Sequence, residues 1–241
     1  LAAFYRIRKG KNIIKPKKNL NMSENFFHMC FGKVPQKEIV KAFDVSLILY
    51  AEHSFNVSTF TARTITSSLS DIHGAITGAI ASLKGPLHGG ANEEVMHMMN
   101  KIKSPANALK WINNALEKKE VVMGFGHRVY KSGDSRVPTM RKYFSKVAKI
   151  KKDKKFEKIY DIVEKVMIDR KNIHPNVDYP TGPTYHLMGF DTDFFTPIFV
   201  ISRITGWSAH IMEQHAANKL IRPLASYKGN KHRKVVQLNQ R

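Results

Sequence analysis

The chain has 241 residues and a formal net charge of +21, and 42% of its residues are hydrophobic. That length allows one large domain or two small ones, and the apolar fraction supports a sizeable buried core. A single cysteine, Cys30, excludes an internal disulfide, which fits a reducing compartment, and no apolar run approaches the ~20 residues that span a bilayer. The basic excess favours anionic ligands or nucleic acid, or it reflects a solvated lysine-rich surface.

The N-terminal residues predict a basic arm followed by an amphipathic helix. Residues 1–22 are broken by glycine and proline and read as a loose arm. A helix opens at Pro35, and a polar cluster at 51–56 ends it. Its apolar residues recur every three or four positions at Ile39, Phe43, Leu47 and Tyr50.

Further helices follow in order along the chain. Residues 57–69 have helical spacing, and Asp71 is a candidate N-cap for a helix at 72–83. Ser104 and Pro105 form a good N-cap and first-turn pair for the next helix.

The C-terminal half is also predicted to be helical. Residues 137–170 give one or two charged amphipathic helices, with a break near Lys152. Residues 193–220 are apolar almost all round, as in a helix buried in the middle of a domain. The sequence therefore predicts a nearly all-α fold without internal repeats.

The stretch around His88 is the first candidate for chemistry. In residues 84–95, KGPLHGGANEEV, a tight proline and glycine turn precedes a helix that begins at Ala91. The positive end of that helix opposes protonation, so we expect a neutral imidazole that donates one hydrogen bond and accepts another. The alternative is a capping histidine in an ordinary turn.

Three other breaks between helices carry reactive side chains. His53 lies in the first, His127 lies in the stretch 121–131 shortly before Arg136, and Asp178 lies in the third. Each also has a structural interpretation: the histidines as polar loop residues and the aspartate as a helix cap.

Two arginines lie in or just after the most apolar helix. Arg203 lies among Phe199, Ile204 and Trp207. A buried guanidinium needs an anion, which could be a protein carboxylate or a ligand. Arg222 follows the helix. Together these groups suit proton removal next to a carbonyl group. The arginines would bind carboxylates, the aspartate would act as the base, and the neutral histidines would donate hydrogen bonds.

Several long motifs, in order, resemble the citrate synthase superfamily, and in particular its bacterial 2-methylcitrate synthase branch. The similar region runs from about residue 25 to residue 229. The motifs are AEHSFNVSTFTAR (51–63), GFGHRVYKSGDSRVPTM (124–140), YPTGPTYHLMGFD (179–191) and FTPIFVISRITGWSAHIMEQ (195–214). Many family members have proline at the position of Ser135.

The resemblance implies roles for the catalytic residues. His88 would donate a hydrogen bond to the thioester carbonyl oxygen, Asp178 would remove the α-proton of the acyl-CoA, and His127 would act on the ketone oxygen of oxaloacetate. The residues implied in oxaloacetate binding are His53, Arg136, Phe199, Arg203 and, from the other subunit, Arg222. Those implied in coenzyme A binding are Val121, Val122, Gly124 and Lys131.

The same resemblance implies an architecture. We expect an all-α dimer with a large helical domain, from which most N-terminal helices are missing, and a small helical domain. The expected parts are a basic arm (1–24), large-domain helices (25–102), the small domain (103–190), a return to the large domain (191–229) and a basic tail (230–241). No metal or bound cofactor is expected, and the location would be cytoplasmic, or the mitochondrial matrix in a eukaryote.

The implied reaction joins propionyl-CoA to oxaloacetate and gives 2-methylcitrate and CoA. The alternative substrate is acetyl-CoA, as in citrate synthase. A different class is an inactive fragment that only pairs with another chain. A nucleic-acid-binding protein is disfavoured, because the basic excess shows no recognisable nucleic-acid motif.

Overall fold

The structure, a computed structural model, describes residues 1–130, 132–230 and 233–241. Over these residues the chain forms α-helices and short 3-10 turns without a β-strand, which confirms the all-α prediction. The helices are α1 (Ala2–Arg8), α2 (Met22–Phe31), α3 (Lys37–Ala51), α4 (Val57–Ser67), α5 (Ile72–Leu83), α6 (Ala91–Ile102), α7 (Pro105–Glu117), α8 (Val137–Ile150), α9 (Lys155–Lys171), α10 (Asp178–Met188) and α11 (Phe195–Ala216).

Short polar side chains begin several of these helices. Asn21, Asn56 and Asp71 each accept a hydrogen bond from the backbone N–H three residues later, which satisfies a donor that the first turn leaves free. The predicted cap at Asp71 is thus confirmed. Ser104 precedes α7 but makes no capping bond, so Pro105 at the first position is the main start signal there.

The loose arm predicted for residues 1–22 is wrong for its first part, whereas residues 11–20 are not helical and are mostly exposed. Residues 2–8 are helical, and Tyr5 of α1 is buried among other aromatic rings. Its ring centroid lies 5.5 Å from that of Phe31 and 4.7 Å from that of Phe194. Two basic residues nearby form ion pairs: Arg8 with Asp193, and Lys9 with Asp191 at 2.7 Å. The basic composition of this segment gave no indication that Tyr5 is buried.

Helix α11 is the central element of the fold and packs against α3, α4 and α5. A side chain on Gly206 would lie 2.3 Å from the backbone oxygen of Ala51, so glycine lets α11 approach the end of α3 closely. The helix ends at Ala216, four residues earlier than predicted, because Asn218 and Ile221 bind the end of α4 at Ser67 instead. No described helix is long and apolar enough to cross a membrane.

The remaining helices build the other side of the molecule. Helix α10 packs against α6 and α8, and α7 packs against α9. The predicted break near Lys152 is confirmed, since α8 ends at Ile150 and α9 begins at Lys155. The division into a large and a small domain stays a prediction.

Candidate active site

A cavity of about 720 Å³ opens where α3 ends, α6 and α10 begin, and the middle of α11 passes. It contains every residue predicted for catalysis, and every residue predicted for oxaloacetate binding except Arg222. These residues are His53, His88, His127, Arg136, Asp178, Phe199 and Arg203. The four breaks that the sequence singled out therefore converge on one site.

His88 is positioned by the turn before α6 and by α4. Its Nε2 atom accepts a hydrogen bond from the backbone N–H of Ser58 at 3.2 Å and lies 2.8 Å from the Ser58 hydroxyl oxygen. Trp207 of α11 donates to the same hydroxyl oxygen at 3.1 Å. Because Nε2 accepts a backbone N–H, the proton of the neutral ring lies on Nδ1, which remains a hydrogen-bond donor.

Burial lowers the pKa of His88 to about 4, with a further contribution from the charge of Arg203. The imidazole is therefore neutral near pH 7, as predicted. The helix N-terminus at Ala91 was the cause that the sequence suggested, whereas burial and a neighbouring guanidinium account for this pKa.

His53 and His127 form an imidazole pair, with ring centroids 5.0 Å apart. His127 Nδ1 accepts the backbone N–H of Val129 at 3.0 Å, so its proton lies on Nε2. His53 Nε2 lies 3.1 Å from the Tyr130 hydroxyl oxygen. Burial and the charge of Arg136 lower the pKa of His53 to about 4, and burial also lowers the pKa of His127.

Asp178 is the first residue of α10, and its carboxylate does not cap the helix. Its Oδ1 atom instead accepts the hydroxyl of Tyr50 at 2.5 Å. Burial raises the pKa of Asp178 to about 6, although the Tyr50 hydrogen bond and the charge of Arg136 act in the opposite direction. A carboxylate with such a pKa is ionised at neutral pH and is a stronger base than an ordinary aspartate.

Arg136 is fixed by a buried carboxylate. Asp134 accepts hydrogen bonds from Arg136 Nε at 3.0 Å and Nη2 at 2.7 Å, and it also accepts the backbone N–H of Val177 at 3.0 Å. Burial alone would raise the pKa of Asp134, but the hydrogen bonds and charge of Arg136 lower it. The pair thus joins an arginine of the cavity to the residue before Asp178.

Arg203 is only 1% exposed, and no protein carboxylate pairs with it among the described residues. Its Nε atom donates to the backbone oxygen of Tyr50 at 2.5 Å, and its guanidinium carbon lies 4.8 Å from the Phe199 ring centre. Its Nη1 atom is buried without a partner in the part of the chain that the structure describes. Burial and the charge of Arg136 lower the pKa of Arg203 to about 10. Of the two partners that the sequence left open, a ligand anion is the one that suits this geometry.

The other predicted binding residues lie outside this cavity. Val122 and Gly124 are buried and Val121 is exposed, on the segment that leads to His127. Lys131, the remaining residue predicted for coenzyme A, lies outside the described residues. Arg222 is exposed beyond α11.

Sequence reasoning missed several supporting residues. Tyr50 fitted the apolar spacing of α3 and was interpreted as core, although its hydroxyl contacts Asp178. Ser58 and Tyr130, which bind the histidines, lie in stretches whose polar residues gave no distinct signal. The role of Asp134 was detectable only as an acid two residues before Arg136.

The arrangement combines two hydrogen-bond donors, one base and two cations. His88 Nδ1–H and His127 Nε2–H can each polarise a carbonyl oxygen, Asp178 can accept a proton from carbon, and Arg136 and Arg203 can bind carboxylates. No group of three or more His, Cys, Asp or Glu residues in the described ranges could form a metal site.

Comparison with known proteins agrees with this chemistry. The family model described as citrate synthase, C-terminal domain, matches residues 1–224. The match begins at the first residue, so the segment that we treated as an arm outside the similar region lies within it. The burial of Tyr5 is consistent with this segment being part of the fold.

Individual relatives give the same result. The chain is 56% identical over 228 residues to the 2-methylcitrate synthase of Mycobacterium tuberculosis, covering 95% of this chain and 58% of the relative. It is 53% identical over 236 residues to a citrate synthase of Mycolicibacterium smegmatis, covering 98% and 63%. It thus spans about three fifths of the length of these relatives.

A solved structure also matches. It is the ternary complex of citrate synthase from Thermoplasma acidophilum with carboxymethyl coenzyme A and oxaloacetate. The TM-score is 0.90 at 37% identity, with 100% of this chain and 65% of that chain covered.

Proposed function

Because this chain belongs to the citrate synthase family, we propose that it condenses an acyl-CoA with oxaloacetate, and that the acyl group is propionyl. The products are 2-methylcitrate and CoA, and one water molecule is consumed. The observation that carries this proposal is the convergence of a base, two neutral imidazole donors and an unpaired buried arginine on one cavity. The residues proposed for proton transfer, and those proposed for oxaloacetate binding apart from Arg222, line this cavity.

The first step is enolisation of the thioester. Asp178 accepts the α-proton, and the electron pair of the broken C–H bond moves towards the thioester carbonyl. His88 stabilises the developing oxygen charge by donating Nδ1–H, for which the Ser58 contact selects the required tautomer. With a pKa of about 4, the imidazolium form of His88 would lose its extra proton at neutral pH. The donor in this step is therefore the neutral ring.

The second step forms the carbon–carbon bond. The enolic carbon attacks the ketone carbon of oxaloacetate, whose oxygen lies against His127 Nε2–H and takes that proton. Arg203 and Arg136 bind the carboxylates of oxaloacetate, and Phe199 forms a wall beside Arg203. Water then adds to the thioester carbonyl, its OH remains on the new carboxyl group, and CoA leaves as the thiol. The α-proton held by Asp178 returns to His127 through solvent, which restores both groups.

A role of the segment 121–124 in CoA binding is supported by its position in the chain, since it immediately precedes the cavity-lining residues Gly126 and His127. Together with Lys131 it would contact the adenine and phosphates. Arg222 is exposed in the segment that follows α11, and it would enter the cavity of a second subunit in a homodimer.

The choice of propionyl-CoA rests on two bacterial relatives named 2-methylcitrate synthase, from Mycobacterium tuberculosis and Corynebacterium glutamicum, at 56% and 54% identity. The competing candidate is citrate synthase activity with acetyl-CoA, which a relative of 53% identity carries in its name. A third candidate is a chain that only pairs with another chain, since the relatives are longer.

The test is product formation by the purified chain. Oxaloacetate is supplied with propionyl-CoA or acetyl-CoA, the released thiol is followed, and the product is identified by mass spectrometry. We expect 2-methylcitrate, and we expect Asp178→Asn to remove nearly all of it while oxaloacetate still binds. Formation of citrate alone would favour acetyl-CoA, and oxaloacetate binding without either product would favour the pairing role.

A further inference from the structure

Tyr50 contacts both the proposed base and the proposed anion-binding arginine. Its hydroxyl donates to Asp178 Oδ1 at 2.5 Å, and its backbone oxygen accepts Arg203 Nε at 2.5 Å. The side chain is fully buried, and its ring centroid lies 4.0 Å from that of Phe199. One residue at the end of α3 thus spans two functional groups that belong to α10 and α11.

We infer that Tyr50 is a positioning residue of the condensation proposed above: its hydroxyl fixes the rotation of the Asp178 carboxylate and favours the ionised form. The bond occupies Oδ1 and leaves Oδ2 as the atom that accepts the α-proton. The packing of α3 against α11, with Ser202 bound to the backbone of Leu47, prevents the ring from following a moving carboxylate.

The need for such a donor follows from the surroundings of Asp178. Burial disfavours its charge, and the Tyr50 hydroxyl is the closest group that offsets this effect. The α6 groups that lie against α10 at Gly182 are uncharged, namely Val95 and the backbone of Asn92. The other charged or titratable groups that face Asp178 are Asp134 and Arg136 before α8, Arg203 of α11, and Tyr185 further along α10 itself.

Removal of the hydroxyl gives an activity readout and a direct readout. In Tyr50→Phe we expect the pKa of Asp178 to rise by roughly one to two units, the usual effect of one hydrogen bond to an ionised group. The acid limb of kcat/KM should move by the same amount, which means a loss of roughly two- to tenfold at pH 7 that becomes smaller at pH 9. The KM for oxaloacetate should stay unchanged, because the backbone oxygen that binds Arg203 is retained.

The direct readout is the titration of the Asp178 carboxyl carbon by ¹³C NMR, assigned by its loss in Asp178→Asn. It does not require turnover, so it separates this inference from the proposed function. If the parent chain makes neither product, the proposed function fails while the titration still decides the role of Tyr50.

Tyr185→Phe is the matched control. This substitution also removes a buried tyrosine hydroxyl, which lies 2.9 Å from the Ser46 hydroxyl oxygen. Tyr185 does not line the cavity. We expect it to leave the Asp178 titration in place. If Tyr50→Phe does not fold, 3-fluorotyrosine at position 50 keeps the ring and provides a more acidic donor, which should lower the pKa of Asp178. A titration of Asp178 that neither replacement at position 50 moves, or that Tyr185→Phe moves equally, would overturn the inference.

Discussion

The unpaired guanidinium of Arg203 should weaken the fold in the absence of ligand, and Arg203→Met tests this. A fall of the Arg203 pKa from 12.5 to about 10 means that its charge is disfavoured in the folded chain. At about 1.36 kcal/mol per pKa unit, this corresponds to roughly 3 kcal/mol. Methionine removes the charge, and its long unbranched side chain fits the same space beside Phe199.

Two losses oppose this gain. The backbone oxygen of Tyr50 loses its bond from Arg203 Nε, and a buried carbonyl without a partner costs about 1–3 kcal/mol. The contact with the Phe199 ring is also weakened. We therefore expect Arg203→Met to be as stable as the parent or up to ~2 kcal/mol more stable, which is a rise in Tm of up to ~8 °C.

Oxaloacetate should reverse the order of stability. At a concentration about 100 times its Kd, a ligand that binds only the folded state adds about 2.7 kcal/mol. The parent should gain this stability, and Arg203→Met should gain little because the carboxylate has lost its buried partner.

The assay is thermal unfolding with and without oxaloacetate. Arg141→Met is the control, since Arg141 is paired with Glu157 at 3.0 Å and Asp161 at 2.6 Å. That variant should lose stability and keep the oxaloacetate shift. A loss of more than ~1 kcal/mol in Arg203→Met relative to the parent would contradict a destabilising guanidinium. An oxaloacetate shift equal to that of the parent would contradict anion binding by Arg203.

Three further predictions concern activity. Because the pKa of Asp178 is raised to about 6 and its ionised form is the base, kcat/KM should rise with pH through about 6 and then level off; a limb near 4 would contradict this environment. Propionyl-CoA and acetyl-CoA should both react, with kcat/KM values that differ by roughly 10- to 200-fold, since one methylene is worth only about 1–3 kcal/mol. A higher kcat/KM for acetyl-CoA than for propionyl-CoA would reverse the substrate assignment. Arg203→Ala and Arg222→Ala should each be nearly inactive yet recover activity when mixed, because a mixed dimer restores one complete cavity; proven heterodimers without activity would exclude a shared site.

The helices and the converging breaks were predictable because each leaves a local signal. Apolar residues three or four positions apart predicted α3, a segment that is apolar almost all round predicted α11, and Asp71 predicted the start of α5. His53, His88, His127 and Asp178 were detectable because reactive side chains stood where helical spacing stopped.

What could not be predicted depends on contacts between distant segments. The Tyr50–Asp178 bond joins residues 128 positions apart, and nothing in the spacing of α3 distinguishes a core tyrosine from one that binds a base. The burial of Tyr5 was concealed in the same way, because its aromatic partners lie elsewhere in the chain. The source of the lowered His88 pKa also required the structure, since Arg203 comes from another helix.

Helix α11 carries Phe199, Arg203 and Trp207 at intervals of four residues. Phe199 lines the cavity, Arg203 is the residue proposed to bind the anion, and Trp207 donates to the serine that contacts His88. Four residues of α-helix advance about 6 Å along its axis. The three functions therefore share one rigid spacing and cannot be adjusted separately. Insertion of one residue between Phe199 and Trp207 would rotate the two ends of this row by about 100° relative to each other. Substitutions can vary the site one group at a time, but a change of length within this helix would disconnect anion binding from enolate stabilisation in a single event.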